Sequence, residues 1–296
     1  MEGKDIKGVI AAIATPFDKR GKLDVKGLQK LTQYAVKGGC HGIMTSGGTG
    51  EFPHLSREEK KMITQAVADV AKGKSKILAG TAACSTMEAV ELCRDAKAGG
   101  ADAVILVPPY YFKLPDESIY EHFKVVAQNA GLPVVVYNNP LYTGNNISPE
   151  LIARISKING IIGLKQSNPD LGQLVEVLRT ARKGFAMLTG IDSQFYPALC
   201  VGADGIFSTA ACVAPRMMVD IYDAFLQGDH KKALATHMKL QILNRFLEYD
   251  PGYVAPCKEA LKMMGLPGGP VRAPLPSLTS TQRSDLRDAL KKLQLI

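Results

Sequence analysis

Lys165 is the residue best placed to carry out chemistry, because it ends the short apolar run Ile161 to Leu164. The preceding apolar run, Val134 to Val136, ends in the same way on Tyr137. In a parallel α/β barrel the carboxyl ends of the strands form the active site, where a lysine on an apolar stem can lose its proton and attack a carbonyl carbon. A strand-end lysine can equally extend its ammonium group into water. Lys165 is therefore a candidate nucleophile, and Tyr137 is a candidate proton carrier beside it.

A glycine-rich turn, Ser46-Gly47-Gly48-Thr49-Gly50-Glu51, follows the second apolar run of the chain. Its backbone NH groups and its threonine hydroxyl suit the binding of an anion such as a carboxylate. The spacing is not that of a Walker loop, because no lysine follows Gly50, nor that of a dinucleotide-binding fingerprint. Glycines can also simply make a tight turn. Gly48, Thr49 and Gly50 are therefore candidates for binding a substrate carboxylate.

Phenols and small polar groups follow the later apolar runs and could surround the lysine. Tyr111 follows the fourth run and Tyr142 follows the fifth, although a strand-end tyrosine often only packs with its hydroxyl in water. Gly190, Asp192 and Ser208 follow the last two runs and could hydrogen-bond substrate hydroxyls, while Asp192 could equally cap the next helix. The five histidines and six cysteines form no metal-binding pattern, so we expect neither a metal nor another cofactor.

The elements that must position these residues are eight short apolar runs that alternate with longer amphipathic segments. This alternation is typical of βα units around a parallel sheet. The predicted strands are 8–15, 42–46, 76–80, 103–107, 133–137, 161–165, 186–190 and 205–208. Helical patterns follow at 216–227, 230–248, 255–264 and 280–293. The sequence therefore predicts an α/β fold, a (β/α)₈ TIM barrel with a helical C-terminal extension, divided into residues 1–227 and 228–296.

An open, doubly wound sheet is the alternative architecture. Its dinucleotide-binding form places a glycine-rich phosphate turn after the first strand. Here the first strand is followed by Thr15-Pro16-Phe17, and the glycine-rich turn comes one strand later.

The composition of the chain limits the kinds of partner that we expect it to bind. The chain has 296 residues and a formal charge of +8, from 36 Lys and Arg against 28 Asp and Glu. The basic residues are dispersed and mixed with acids, so we expect no nucleic-acid partner. No apolar stretch reaches the roughly 18 residues of a membrane span, and the N-terminus lacks the apolar core of a signal peptide. We therefore expect no membrane association and a cytoplasmic location.

Three motifs in this order resemble the dihydrodipicolinate synthase and N-acetylneuraminate lyase family of class I aldolases. They are G-G-T-G-E at 47–51, Y-N-x-P-x-x-T-G at 137–144 and G-L-K at 163–165. The resemblance extends from Ala14-Thr15-Pro16 to Arg272-Ala273-Pro274-Leu275 and so covers nearly the whole chain.

The resemblance implies a (β/α)₈ barrel in which Lys165 forms a Schiff base with pyruvate or another 2-oxo acid. Tyr137 would then shuttle protons, and the turn from Gly48 to Gly50, with the Thr49 hydroxyl, would hold the substrate carboxylate. Tyr111 would reach into the site of a neighbouring subunit, which implies a homotetramer made of tight dimers.

The chain departs from the family pattern at positions that help to name the reaction. Gly48 stands where dihydrodipicolinate synthases typically carry the first threonine of T-T-G-E, so one hydroxyl of their Tyr-Thr-Tyr proton relay is missing. Tyr142 stands where they carry an arginine that binds the distant carboxylate of the aldehyde substrate, and a phenol cannot supply that bidentate cation. Both changes argue against dihydrodipicolinate synthesis. Because Ser193 rather than Glu follows Asp192, the polyol contacts of a neuraminate lyase are also in doubt.

The chain is accordingly expected to be a Schiff-base lyase on pyruvate or a small 2-oxo acid, with cleavage, dehydration and deamination left open. The string G-G-T-G-E-F looks more like members that act on 2-oxo acids derived from sugars or hydroxyproline. The alternatives are a 4-hydroxy-tetrahydrodipicolinate synthase and a non-catalytic barrel that binds a 2-oxo acid.

Overall fold

The computed structural model describes residues 1–248 and 252–296 and contains a closed barrel of eight parallel strands. Each strand pairs with its neighbours in chain order, and the first also pairs with the last. The strands are β1 Gly8–Ala12, β2 Gly42–Thr45, β3 Lys76–Gly80, β4 Ala103–Leu106, β5 Val134–Asn138, β6 Ile161–Gln166, β7 Ala186–Thr189 and β8 Gly205–Ser208.

The predicted barrel with a helical extension is confirmed. Strands β3 and β8 have the predicted bounds, and the other six differ by one to three residues at an end. The largest difference is in β1, which ends at Ala12 rather than at residue 15. The division at residue 227 stays a prediction, and residues 249–251 of the predicted extension lie outside the described part of the chain.

Thirteen α-helices occur in the described residues. They are α1 Val25–Lys37, α2 Arg57–Ala71, α3 Thr86–Ala98, α4 Asp116–Asn129, α5 Pro140–Thr143, α6 Pro149–Ile155, α7 Leu171–Thr180, α8 Phe195–Cys200, α9 Ala210–Val213, α10 Pro215–Leu226, α11 His230–Leu247, α12 Val254–Met263 and α13 Ser280–Lys292. A capping box begins α2, in which the Ser56 side chain accepts from the Glu59 NH group. No helix in residues 1–248 or 252–296 combines the length and apolar character needed to cross a bilayer.

The barrel core consists of two layers because successive strand residues face opposite sides of the sheet. Along β1, Ile10 and Ala12 belong to the cluster inside the barrel, whereas Val9 and Ala11 belong to the cluster beneath the helices. Both layers are almost fully buried, so the strands are apolar on both faces. This explains why the sequence shows them as continuous apolar runs.

A buried ion pair attaches the C-terminal extension to the barrel. Lys258 of α12 donates to the carboxylate of Glu51, which ends the glycine-rich turn. The backbone NH of Arg272 donates to the other oxygen of that carboxylate at 2.9 Å. The Lys258 ammonium and the Arg272 guanidinium both lie over the ring of Phe17, 4.2 and 4.0 Å from its centroid. The glycine-rich turn is thus held by residues from the end of the chain.

We expect Lys258→Met to lower the free energy of unfolding by about 3–5 kcal/mol, because it leaves the Glu51 carboxylate buried without its cation. Urea unfolding of the purified variant measures the change. Lys262→Met is the matched control, since Lys262 is half-exposed and pairs with Glu259 on the same helix. That variant should lose less than about 1 kcal/mol. Equal effects of the two substitutions would contradict the structural role assigned to Lys258.

Candidate active site

Lys165 lies at the carboxyl end of β6, where it is paired with Tyr137 of β5. Its amine nitrogen is 4.1 Å from the centroid of the Tyr137 ring, 5.4 Å from that of Phe207 and 3.9 Å from the sulfur of Met44. The side chain is buried. Among the described residues, none forms an ion pair with Lys165. Aromatic faces and a thioether therefore hold the amine in position.

Tyr137 connects Lys165 to a cavity of about 450 Å³. The phenol lines this cavity, and its oxygen accepts a hydrogen bond of 2.8 Å from the side-chain amide of Asn139. Lys165 does not line the cavity itself. Gly190 lies on the other side of the lysine, where an added Cβ would stand 2.6 Å from the lysine Cε. The structure therefore brings Tyr137, Lys165 and Gly190 together as the sequence predicts.

The cavity lies between the glycine-rich turn, the loops after β4 and β5, and the C-terminal extension. Most of its surface is apolar or phenolic, and none of the described residues that line it is a lysine or an arginine. These residues are Gly48, Glu51, Phe52, Pro53, His54, Val107, Tyr110, Tyr137, Asn139, Tyr142, Thr143, Gly252, Tyr253, Val254, Ala255, Leu275 and Pro276.

The glycine-rich turn is fixed on both sides by hydrogen bonds. The Thr49 hydroxyl lies 2.9 Å from that of Thr209, and the Gly50 carbonyl accepts from the Thr15 hydroxyl at 2.8 Å. Ser46 and Glu51, at the two ends of the turn, have positive φ angles of 49° and 59°. Such angles are costly for residues other than glycine and persist where the surroundings fix them. Gly48 and Glu51 are the members of the turn that border the cavity.

Asp192 and Ser208 are brought close to each other, but their polar groups are engaged within the chain. The Ser208 hydroxyl donates to the Asp192 carboxylate, which also accepts from the NH groups of Thr209 and Ala210, each at 3.1 Å. Asp192 thus caps α9, which follows β8, and not the helix that follows Asp192 itself. Burial raises the pKa of Asp192, and the hydrogen bonds oppose that shift.

The two candidate tyrosines at loop positions differ in placement. Tyr142 lines the cavity and packs edge to face on Tyr253, with ring centroids 6.0 Å apart. Tyr111 is 86% exposed, does not line the cavity and packs on Phe112, with centroids 4.9 Å apart. Its φ angle of 85° lies in the left-handed region that non-glycine residues rarely adopt. Within one chain, therefore, Tyr111 is not part of the site.

Three residues that the sequence analysis did not select also belong to this region. Asn139 lies two residues after Tyr137, at the variable position of the motif, and could have been selected for that closeness along the chain. Tyr253 and Glu248 flank the junction of α11 and α12, far from the barrel motifs along the chain, and no local pattern marks them. Glu248 accepts a hydrogen bond of 2.6 Å from the Ser193 NH. His54 also lines the cavity, with its Nδ1 3.7 Å from the Glu51 carboxylate.

A family model decides the identity of this barrel. The model described as the dihydrodipicolinate synthetase family matches residues 5–293. The chain belongs to this family. The expected family membership is thus confirmed, and the chain is an enzyme, a lyase of the class I aldolase type.

Relatives of this dihydrodipicolinate synthetase family chain cover it almost completely. The 4-hydroxy-tetrahydrodipicolinate synthase of Methanothrix thermoacetophila is 39% identical over 290 residues, which are 97% of each chain. The chloride-inhibited dihydrodipicolinate synthase of Acinetobacter baumannii, solved with pyruvate, superposes with a TM-score of 0.93 at 36% identity over 98% of this chain and 100% of that one. A monomeric dihydrodipicolinate synthase variant has a TM-score of 0.94 at 32% identity, over 99% of both chains.

Glu248 makes the stability of the site depend on pH. Burial, and then the charge of Asp192, raises the pKa of its carboxyl from 4.5 to about 7. The folded state therefore holds this proton more tightly than the unfolded state, and stability is lost as the pH rises through this window. We expect Glu248→Gln to be more stable than the wild type at pH 8 by up to about 3 kcal/mol, and the difference to vanish below about pH 4.

Denaturant unfolding across this pH range measures the Glu248 effect. Glu121→Gln is the control, because Glu121 is exposed and pairs only with Lys124 on its own helix. A stability difference for Glu248→Gln that does not change with pH would contradict the prediction.

Proposed function

We propose that this chain is a Schiff-base-forming lyase that acts on pyruvate or a small 2-oxo acid through Lys165. The observation that carries the proposal is the buried Lys165 amine, packed against the Tyr137 ring at the carboxyl ends of neighbouring strands. Family membership supports the same chemistry. The presence of both Lys165 and Tyr137 weighs against the alternative of a barrel that only binds a 2-oxo acid.

In the proposed reaction, the neutral Lys165 amine adds to C2 of the 2-oxo acid and a carbon–nitrogen bond forms. The carbonyl oxygen leaves as water with the two protons of the amine, and the product is an imine. Once protonated, the imine withdraws electrons, so loss of the C3 proton gives an enamine. Cleavage of the C3–C4 bond gives the same kind of enamine when a C4 hydroxyl loses its proton and C4 leaves as an aldehyde. Protonation at C3 and hydrolysis of the imine by water then release the product and the Lys165 amine. Tyr137 is the phenol that can carry protons to and from these atoms, and Asn139 orients its oxygen.

The glycine-rich turn is the proposed holder of the substrate carboxylate. Gly48 borders the cavity, and the hydrogen bonds of Thr49 and Gly50 fix the turn before substrate binds. A preformed group of NH donors binds an anion without a further cost of ordering the loop. In this proposal Asp192 and Ser208 support the turn indirectly. They cap α9, and that helix directly follows Thr209, whose hydroxyl contacts that of Thr49.

The cavity favours a substrate whose remaining part is uncharged and carries hydroxyl groups. Tyr110, Tyr142 and Tyr253 offer hydroxyl groups in a lining that is mostly apolar. A second carboxylate would lose its hydration there with no lysine or arginine among the described lining residues, which is costly. We therefore propose cleavage or dehydration of a hydroxylated 2-oxo acid as the main activity.

A second candidate is 4-hydroxy-tetrahydrodipicolinate synthesis, because curated relatives 36–39% identical to this chain carry that name. It needs an aldehyde substrate with its own carboxylate. Tyr142, in place of the family's arginine, and the missing hydroxyl at Gly48 make this candidate the weaker one.

The assembly that we propose is a homotetramer of tight dimers, with Tyr111 placed at the site of a neighbouring subunit. The proposal is supported by the aromatic pair Tyr111 and Phe112, which is exposed on the loop after β4. Sedimentation velocity on the wild type and Tyr111→Ala gives the oligomeric state. The monomeric variant among the relatives shows that the fold itself does not require a tetramer.

We expect borohydride with pyruvate to trap a covalent adduct on Lys165, because hydride reduces the imine to a stable secondary amine. Peptide mass spectrometry identifies the modified lysine. Lys262→Met should give the same adduct, whereas Lys165→Met should give none. An adduct on another lysine, or no adduct with any 2-oxo acid tested, would overturn the proposed mechanism.

Assays with a panel of substrates distinguish the two candidate reactions. We expect hydroxylated 2-oxo acids to be turned over with a kcat/KM at least about tenfold above that for pyruvate with a carboxylated aldehyde. Tyr142→Arg should raise the use of the carboxylated aldehyde, because it adds a cation to the cavity. Efficient condensation of that aldehyde by the wild type would favour the second candidate instead.

A further inference from the structure

Tyr253 occupies the space that a side chain at residue 48 would need. A Cβ added to Gly48 would lie 2.1 Å from the Tyr253 hydroxyl oxygen and 3.1 Å from its Cζ. Gly48 does not have the left-handed φ angle that favours glycine. A side chain at residue 48 would therefore have to displace the phenol above it, whereas the backbone conformation would accept one.

The Tyr253 hydroxyl faces the same cavity as Tyr137. Tyr253 stands at the N-terminal end of α12, and its ring packs against Tyr142. Burial raises the pKa of Tyr253 well above its usual value, and the neighbouring phenols Tyr137 and Tyr142 add to the shift. The hydroxyl thus keeps its proton at neutral pH and can donate a hydrogen bond.

These contacts supply a hydroxyl where the turn has none. We infer that Tyr253 of the C-terminal extension replaces the missing hydroxyl of residue 48 and positions Tyr137 for proton transfer. This inference rests on the proposed imine chemistry. Tyr253 is a positioning residue: its oxygen acts through the Tyr137 phenol, while Asn139 donates to that phenol from the other loop.

Two departures from the family pattern, at Gly48 and Tyr142, meet at the Tyr253 phenol. Gly48 and Tyr253 are a matched pair, since a threonine at residue 48 and a phenol at Tyr253 would compete for the same space. Tyr142, the second departure, is the residue that packs on Tyr253 from the cavity side. Tyr142 and Gly48 therefore border the same phenol.

The test uses exchange of the pyruvate methyl protons in D₂O, followed by NMR, because it needs only pyruvate and reports proton transfer at the enamine. Tyr253→Phe should slow the exchange by about ten- to a hundredfold and change its pH profile, while the borohydride adduct on Lys165 still forms. Tyr34→Phe is the control for loss of a buried phenol, since the Tyr34 hydroxyl donates to the Val213 carbonyl, away from the cavity. It should leave the exchange unchanged.

Two double variants separate the hydroxyl from its packing role. Tyr253→Ala opens space for a side chain at residue 48. It is combined with Gly48→Ser in one double variant and with Gly48→Ala in the other. The two double variants differ by one oxygen atom, and the serine form should exchange at least about tenfold faster. Equal rates, or an unchanged rate for Tyr253→Phe, would overturn the inference. Absence of a Lys165 adduct in the wild type would instead overturn the proposed function.

Discussion

The pairing of the first strand with the last is the constraint on which the site depends. Gly8 and Gly205 face each other at this seam, where a Cβ at Gly205 would lie 2.1 Å from the Gly8 carbonyl oxygen. The absence of a side chain at Gly205 therefore lets the two backbones approach at this seam. Closure then forces all eight strand ends to converge at one face, which is how Tyr137 and Lys165 become neighbours of a turn that follows β2.

Much of this arrangement could be predicted from the sequence, because it depends on local pattern. Strands buried on both faces are continuous apolar runs, so β5 and β6 are visible in the chain, and their last residues must be neighbours in a parallel barrel. The pairing of Tyr137 with Lys165 follows from register alone. The closeness of Lys165 to Gly190 follows in the same way, since β6 also pairs with β7.

The remaining parts of the site depend on contacts between distant segments. The position of Tyr253 above Gly48 is set by how α12 packs on the barrel, and no periodicity in the chain specifies that packing. Asp192 could be recognised as a helix cap, but only the closed barrel reveals that the capped helix is α9. Tyr111 shows a further limit, because its place in a single chain differs from the place that the family resemblance implies.

The anchoring of the glycine-rich turn has a consequence for the order in which the protein matures. Lys258 lies 207 residues after Glu51, and the Arg272 NH lies 221 residues after it. At about 5–20 residues per second, a ribosome needs about 10–40 s to synthesise the intervening chain. The eight strands are complete once Ser208 has been made, 50 residues before Lys258, and at that point the turn still lacks its cation. The glycine-rich turn thus acquires its buried cation only after the last strand, and a chain interrupted between Ser208 and Lys258 contains every barrel strand without that ion pair.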